Sequence, residues 1–241
     1  MSIGVYGLGR FGFFWAKLLS RYFNVKGFSR NPEREAPPGV KRVDEHELLD
    51  QNVIFLCVSI SAMEEVLRRI GGRLKPDTLI IDTCSVKVYP AGLMEEILPG
   101  NVRIIASHPM FGPDSARDGL NGLPMIMWPL RNSDREFDFW SDFFKGIGLK
   151  VLKMDPDSHD REAAFTQGIT HYIGRVIADL DLKESEIATV GYRKLLEIVA
   201  QTCNDPWQLF IDLQHFNPYT AIMREKLHSS IDRIMKKLDS L

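Results

Sequence analysis

Two stretches of this 241-residue chain have residue types and spacing that point to chemistry. One is Ser107-His108-Pro109-Met110-Phe111-Gly112-Pro113-Asp114, which follows an apolar run from Val102 to Ala106 that reads as a buried strand. Proline after His108 biases the histidine to extended geometry, so the strand ends at or beside it. A group able to take or give a proton is thereby held at the carboxyl end of a strand, with a Gly/Pro-rich loop beyond. In an open α/β sheet that edge is where ligands bind. Taken alone, a histidine at a strand end is an ordinary surface residue; the rest of the chain changes that reading.

The other stretch is Gly7-Leu8-Gly9-Arg10-Phe11-Gly12, between a short β-rich run (Ser2 to Tyr6) and an apolar-periodic helix (about Phe11 to Phe23). Strand, G-x-G-x-x-G and helix in that order form a dinucleotide-binding fingerprint. Gly7 allows the tight turn, Gly9 lets backbone approach a pyrophosphate, and Gly12 lets helix and strand pack closely. Arg10 and Phe11 occupy the first turn, whose unpaired N–H groups and partial positive charge face the phosphates. Cys57 and Ser59, at the end of a later strand, are also expected among the cofactor-binding residues. The second strand, Asn24 to Phe28, ends in Ser29-Arg30-Asn31 with no acid for a ribose 2′-hydroxyl. A hydroxyl and a guanidinium suit a 2′-phosphate, so the expected cofactor is NADP. The alternative leaves Arg30 in solvent and gives the ribose to Glu33.

The elements that must position these residues follow an α/β pattern. Val40 to Val43 is a short strand candidate, Val53 to Val58 a continuous apolar one, and Thr78 to Ile81 another, running into Asp82-Thr83-Cys84-Ser85-Val86-Lys87. Asp44-x-x-Glu47, Ser61-x-x-Glu64 and Ser133-x-x-Glu136 read as helix starts. Six strands separated mostly by helices predict a doubly wound (Rossmann) parallel sheet. Pro124 to Trp128 and Leu149 to Met154 would extend it, giving a domain over residues 1–155. From residue 156 to 241 strand signals stop. Helices are expected over Ser158 to about Leu180, over Ser185 to Thr202, from a first-turn Pro206 to about Phe216, and onward from Pro218. These helices are apolar enough to predict packing against a second copy, as a homodimer.

Composition narrows the class. Hydrophobic content of 44%, charged content of 26% and a formal net charge of −2 describe a globular chain with no basic run for nucleic acid. Cys57, Cys84 and Cys203 have no metal-ligand spacing, so no metal is expected and a reducing compartment is. No apolar run approaches a membrane span. The first strand begins almost at Met1, and the expected location is the cytoplasm.

With these motifs in place, the chain resembles the prephenate/arogenate dehydrogenase family, most closely its plant-type arogenate branch. The resemblance rests on Gly7 to Gly12, Phe28-Ser29-Arg30, Asp82-Thr83-Cys84-Ser85-Val86-Lys87, His108 to Ser115, Gly119-Leu120-Asn121-Gly122-Leu123-Pro124, Ser158-His159-Asp160 and Gln167-Gly168-Ile169-Thr170-His171. A weaker match runs from Gly191-Tyr192-Arg193 to Asp205. The resemblance implies oxidative decarboxylation of a cyclohexadiene, arogenate or prephenate: hydride leaves ring C4, the ring carboxylate departs as CO2, and the ring becomes aromatic. It puts His108 in the role of accepting the C4 hydroxyl proton, which suits an imidazole with a pKa near about 6.5. It makes Ser85 a partner of His108 and of the substrate hydroxyl, although Ser85 would also serve as a helix N-cap. Lys87 reads as a first-turn surface charge. Gln167, Thr170 and His171 are implied to bind substrate, and Gln167 and His171 share a helix face; His159 reads as a helix N-terminal residue.

One departure matters. The arginine that many microbial members carry before the Asp-Pro pair is missing from Val199-Ala200-Gln201-Thr202-Cys203-Asn204-Asp205-Pro206. The plant-type branch lacks it too, and an acid near Asp205 goes there with preference for arogenate, whose side chain carries an ammonium. Asp205 before Pro206 is equally an ordinary N-cap. Arg175 and Arg193 are left as unassigned candidates for a carboxylate. The rival readings are a generic NADP-dependent hydroxyacid or imine reductase, which needs neither His108 nor Ser85, and a non-catalytic NADP sensor.

Overall fold

The computed structural model describes residues 2–240. Two compact units divide between Asp157 and Ser158. The strands of the first unit are β1 (Ser2–Tyr6), β2 (Asn24–Phe28), β3 (Val40–Arg42), β4 (Val53–Leu56), β5 (Leu79–Asp82), β6 (Arg103–Pro109), β7 (Pro124–Arg131) and β8 (Lys150–Lys153). They form one sheet in the order β3-β2-β1-β4-β5-β6-β7-β8. The helices among them are α1 (Arg10–Leu19), α2 (Glu45–Leu49), α3 (Met63–Ile70), α4 (Val88–Ile97) and α5 (Asp134–Gly146). Every residue of β4 and β5 is buried, as a central strand covered on both faces requires.

Pairing is parallel except between β6 and β7, which run antiparallel, with His108 opposite Ile126. The six strands expected to form a parallel sheet, β1 to β6, do so, and the two expected to extend it join through this antiparallel pair. The connection from Met110 to Leu123 holds no helix, and a parallel return needs a crossover that packs on a sheet face. A Gly/Pro/Asn-rich segment folds straight back instead.

Aromatic side chains fill the core on one side. Trp15 from α1 lies edge-on to Phe55 of β4 at 5.9 Å, and Phe55 meets Trp140 of α5 at 5.0 Å. Of the expected helix starts, Asp44 caps α2, accepting from Glu47 N at 2.8 Å. Ser61 does not start a helix; it lies inside a 3-10 turn, Ile60–Ala62, that begins at Ser59. Ser133 stands at the start of α5, but its hydroxyl donates to Ile104 O at 2.8 Å and ties the helix to β6.

The second unit comprises α6 (Pro156–Ala163, entering from the first), α7 (Ile169–Asp179), α8 (Val190–Cys203), α9 (Trp207–Phe216) and α10 (Thr220–Asp239). The single helix expected from Ser158 to Leu180 is interrupted by a π turn, Ala164–Gly168. Thr166 and Thr170 each donate a hydroxyl to the carbonyl four residues back, at 2.9 and 2.8 Å, which bends a helix. Gln214 Nε2 of α9 donates to Gly168 O at 2.9 Å. Pro206 is the N-cap of α9, outside its first turn, because its ψ of 141° is extended. Helices α7 and α8 meet closely at Gly174, where a Cβ would stand 2.1 Å from Thr202 Oγ1. Among the described residues no helix is long and apolar enough to cross a membrane.

Candidate active site

The chain leaves β1 into the glycine-rich turn at the point where strand order reverses, between β1 and β4. Gly7 has φ +102°, and a Cβ on it would lie 2.4 Å from Cys57 O. A Cβ on Gly12 would lie 1.8 Å from Gly7 O, so no other residue fits either position. Gly9 is the N-cap of α1. The N–H groups of Arg10, Phe11 and Gly12 occupy the first turn, where a helix offers no acceptor of its own. First-turn donors without helical acceptors on a cramped glycine cradle fit a dinucleotide pyrophosphate.

The Phe11 ring stacks on Trp15 at 5.6 Å, so this residue offers the cradle its backbone. The Arg10 guanidinium pairs with Asp114 at 2.5 Å. Arg34 was not singled out by any motif, yet its Nη1 donates to Leu8 O at 3.2 Å and lies 3.0 Å from where a Gly9 Cβ would be. Cys57 N donates to Tyr6 O at 2.8 Å, and burial pushes its thiol up to about 12, so it stays protonated beside the turn.

At the end of β2, Ser29 and Arg30 line a cleft with Phe28, Pro32 and Arg42. Arg30 Nη1 pairs with Glu65 of α3 at 2.6 Å. Arg42 Nη2 donates to Asn31 O at 3.0 Å. Arg42 comes from β3, eleven residues beyond Asn31, and only strand pairing shows that it joins Arg30. Glu33 is exposed, its N–H held by Asn31 Oδ1 at 2.9 Å in an Asx turn.

His108 is the penultimate residue of β6 and is 2% exposed. The ordinary-surface reading of this histidine is corrected: it is buried on an interior strand, paired with β5 on one side and β7 on the other. Directly before it, Lys87 and Asp82 form an ion pair with side chains 2% and 0% exposed. Lys87 is therefore no surface charge, the largest miss of the sequence reading. Its Nζ also donates to Ser107 O at 2.5 Å. Asp82 Oδ1 accepts from Ser107 N at 2.9 Å and Oδ2 from Cys84 N at 3.0 Å, while Ser107 Oγ donates to Asp82 O at 2.5 Å. The paired register of β5 and β6 is recorded up to Ile81 and Ile105. Beyond it these side-chain bonds take over from the ladder and hold the two carboxyl ends together. Ser85 lies on the loop between Asp82 and Lys87, half-buried. It does not cap a helix: α4 starts at Val88, with Lys87 at the N-cap.

The second unit brings Gln167, His171 and Arg175 into one row. Gln167 Oε1, His171 Nδ1 and Arg175 Nε are each buried without a hydrogen-bond partner. Burial pulls the His171 pKa below its usual value; Asp205 opposes that shift and Arg175 adds to it. Thr170 spends its hydroxyl on Thr166 O. His159 lies in the first turn of α6, as expected, and is buried there with Nδ1 2.8 Å from Asp160 Oδ1.

A neutral buried His171 has a consequence for stability. Its folded pKa is depressed, so its contribution is complete above the unfolded value and is lost as pH falls through the folded one. Urea unfolding from about pH 7 to about pH 5 is expected to lose stability in part through this group, and His171→Gln should flatten the profile. An identical slope in the variant would show that other groups carry it.

Residues 24–153, more than half of the chain, match the family model for the prephenate dehydrogenase nucleotide-binding domain. The chain is 34% identical to arogenate dehydrogenase 2, chloroplastic, of Arabidopsis thaliana over 99% of its own length and 70% of that protein. It belongs to the prephenate/arogenate dehydrogenase family. Arogenate dehydrogenase 1 of the same plant is likewise 34% identical, with this chain spanning 39% of its length. Residues 176–241 match the model for a TYRAAT1-like C-terminal domain. Crystal structures of Synechocystis arogenate dehydrogenase (TM-score 0.72, 20% identity, 100% of this chain and 92% of that one) and of an Aquifex aeolicus prephenate dehydrogenase with hydroxyphenyl propionate and NAD+ (TM-score 0.70, 18% identity, 100% and 89%) share the fold. Membership makes the chain an oxidoreductase with a nucleotide-binding domain, and the buried His108 lies within that domain, on β6.

Proposed function

We propose that the protein oxidatively decarboxylates arogenate, or prephenate as the alternative substrate, with NADP as the acceptor, in tyrosine biosynthesis. The observation that carries this reading is His108, buried at the carboxyl end of β6 and braced by the Asp82–Lys87–Ser107 bonds. NADP supplies the hydride acceptor when bound. The first-turn N–H groups of α1 hold its pyrophosphate, and Ser29, Arg30 and Arg42 meet its 2′-phosphate. Nδ1 or Nε2 of His108 takes the proton of the C4 hydroxyl as hydride leaves C4. The ring carboxylate then departs as CO2, its bonding electrons complete the aromatic ring, and the proton returns to the phenol oxygen. Ser85, on the adjacent loop, orients the hydroxyl. In the second unit Gln167, Thr170 and His171 bind substrate, and the Asp205 carboxylate favours the ammonium of arogenate over the keto acid of prephenate.

The test is reduction of NADP by purified protein with either substrate. Turnover with neither, while NADP still binds, would sink the reading in favour of a reductase or sensor. For the cofactor, Arg30→Ala is expected to raise the KM for NADP by roughly tenfold or more and to leave that for NAD nearly unchanged. Equal losses with both cofactors would mean that Arg30 serves only its Glu65 pair.

We also infer a homodimer through the second unit. Ile187, Val190, Leu180 and Trp207 are all more than half exposed there, and a second copy would cover such an apolar set. Sedimentation equilibrium giving a monomer at micromolar concentration would refute it.

A further inference from the structure

Arg175 is held by four contacts, all within the second unit. Its Nη2 donates to Thr202 O at 3.1 Å and to Asp205 O at 2.8 Å. Its guanidinium lies over the rings of Trp207 and Phe210, 5.1 and 5.8 Å from their centroids. The two carbonyls belong to the end of α8 and to the turn before α9, and the two rings belong to the start of α9. One side chain from α7 therefore spans the whole α8–α9 corner. The neighbouring Gly174 lets α8 approach to contact, with Thr202 wedged against it. A cation against the last carbonyls of a helix is favourable in itself. That alone would explain a cap at Thr202, but not the reach to Asp205 or the stacking on α9.

What the corner carries is Asp205. Its carboxylate acts on His171, one turn before Arg175 on α7. On the same row, Gln167 Oε1, His171 Nδ1 and Arg175 Nε are buried and unpartnered, and His171 is 8% exposed. Unpartnered polar atoms at such depth are costly unless a ligand meets them. We propose that Arg175 is a positioning residue for substrate selection: by clamping the α8–α9 corner it holds the Asp205 carboxylate beside His171, where it distinguishes an ammonium-bearing side chain from a keto acid. The inference rests on the dehydrogenase reading for its substrates. It also reassigns Arg175 from a candidate ligand of a substrate carboxylate to the residue that places a carboxylate of the protein.

The experiment compares wild type, Arg175→Met, Arg175→Lys, Asp205→Asn and the Arg175→Met/Asp205→Asn double variant. With arogenate, Arg175→Met should raise KM by tenfold or more with a smaller change in kcat, and prephenate kinetics should move little. The arogenate-to-prephenate ratio should fall to that of Asp205→Asn, and the double variant should fall no further. Lysine keeps the charge but cannot span two carbonyls while stacked, so Arg175→Lys should restore thermal stability more than selectivity. Equal losses with both substrates, or additive effects in the double variant, would overturn the proposal.

Two readouts do not depend on turnover. Binding of L-tyrosine against 4-hydroxyphenylpyruvate, which carry the two side chains, should show the same loss of discrimination. Amide hydrogen exchange should speed up over residues 203–208 in Arg175→Met and not over α6 or α10. If wild type turns over neither substrate the dehydrogenase reading fails, and these two measurements still decide for or against the clamp.

Discussion

Replacing His108 by alanine is expected to lower kcat by about 10²–10⁴-fold and to leave NADP affinity within a factor of about two. The first effect follows from removing the only proton acceptor assigned to the C4 hydroxyl. The second follows from position: His108 sits at the end of β6, two strands from β4 and three from the glycine turn on β1. The imidazole is buried, so its removal also leaves a cavity. His108→Asn, which keeps a hydrogen-bonding planar group without a titrating nitrogen, should therefore be nearly as inactive but more stable than His108→Ala. Steady-state kinetics with cofactor titration and thermal melts of both variants separate the two effects. Retention of more than about a tenth of wild-type kcat in either would remove His108 from the proton-transfer role.

Much of this was legible in the sequence because the relevant signals are local. The glycines of the cradle lie close together in the chain, from Gly7 to Gly12, and their backbone demands, φ +102° at Gly7 and a 1.8 Å clash at Gly12, admit one residue type. Continuous apolar runs marked β4 and β5, since a strand buried on both faces has no polar side. Non-local matters were not legible. Lys87 reads as solvated because four loop residues, Thr83 to Val86, separate it from Asp82, and only folding of that loop over Ser107 buries it. Arg42 joins Arg30 through pairing of β3 with β2. The antiparallel turn of β7 depends on a segment that failed to form a helix, and the π turn at Ala164–Gly168 on hydroxyls that read only as helix-compatible. Arg175 was visible as a charge, but the carbonyls it serves lie 27 and 30 residues away.

The buried pair carries the other large effect. Lys87→Met is expected to lower the free energy of unfolding by about 3–5 kcal/mol, because it leaves the Asp82 carboxylate charged, fully buried and without its cation. Asp82 still accepts from Ser107 N and Cys84 N, which limits the loss but does not neutralise the charge. Asp82→Asn in the Lys87→Met background removes the charge and keeps a carbonyl for one of those donors. The double variant should thus be more stable than Lys87→Met alone, the signature of a desolvated charge and not of lost packing volume. Urea unfolding of the wild type, both single variants and the double variant measures this cycle. A loss below about 1 kcal/mol in Lys87→Met would place the pair in contact with water. The same bonds join the ends of β5 and β6, which carry Ser85 and His108. Loosening them should then lower kcat even at temperatures where the variant is fully folded, with little change in the KM for NADP. A Lys87→Met protein that is folded, destabilised and fully active would mean that the brace serves the fold alone.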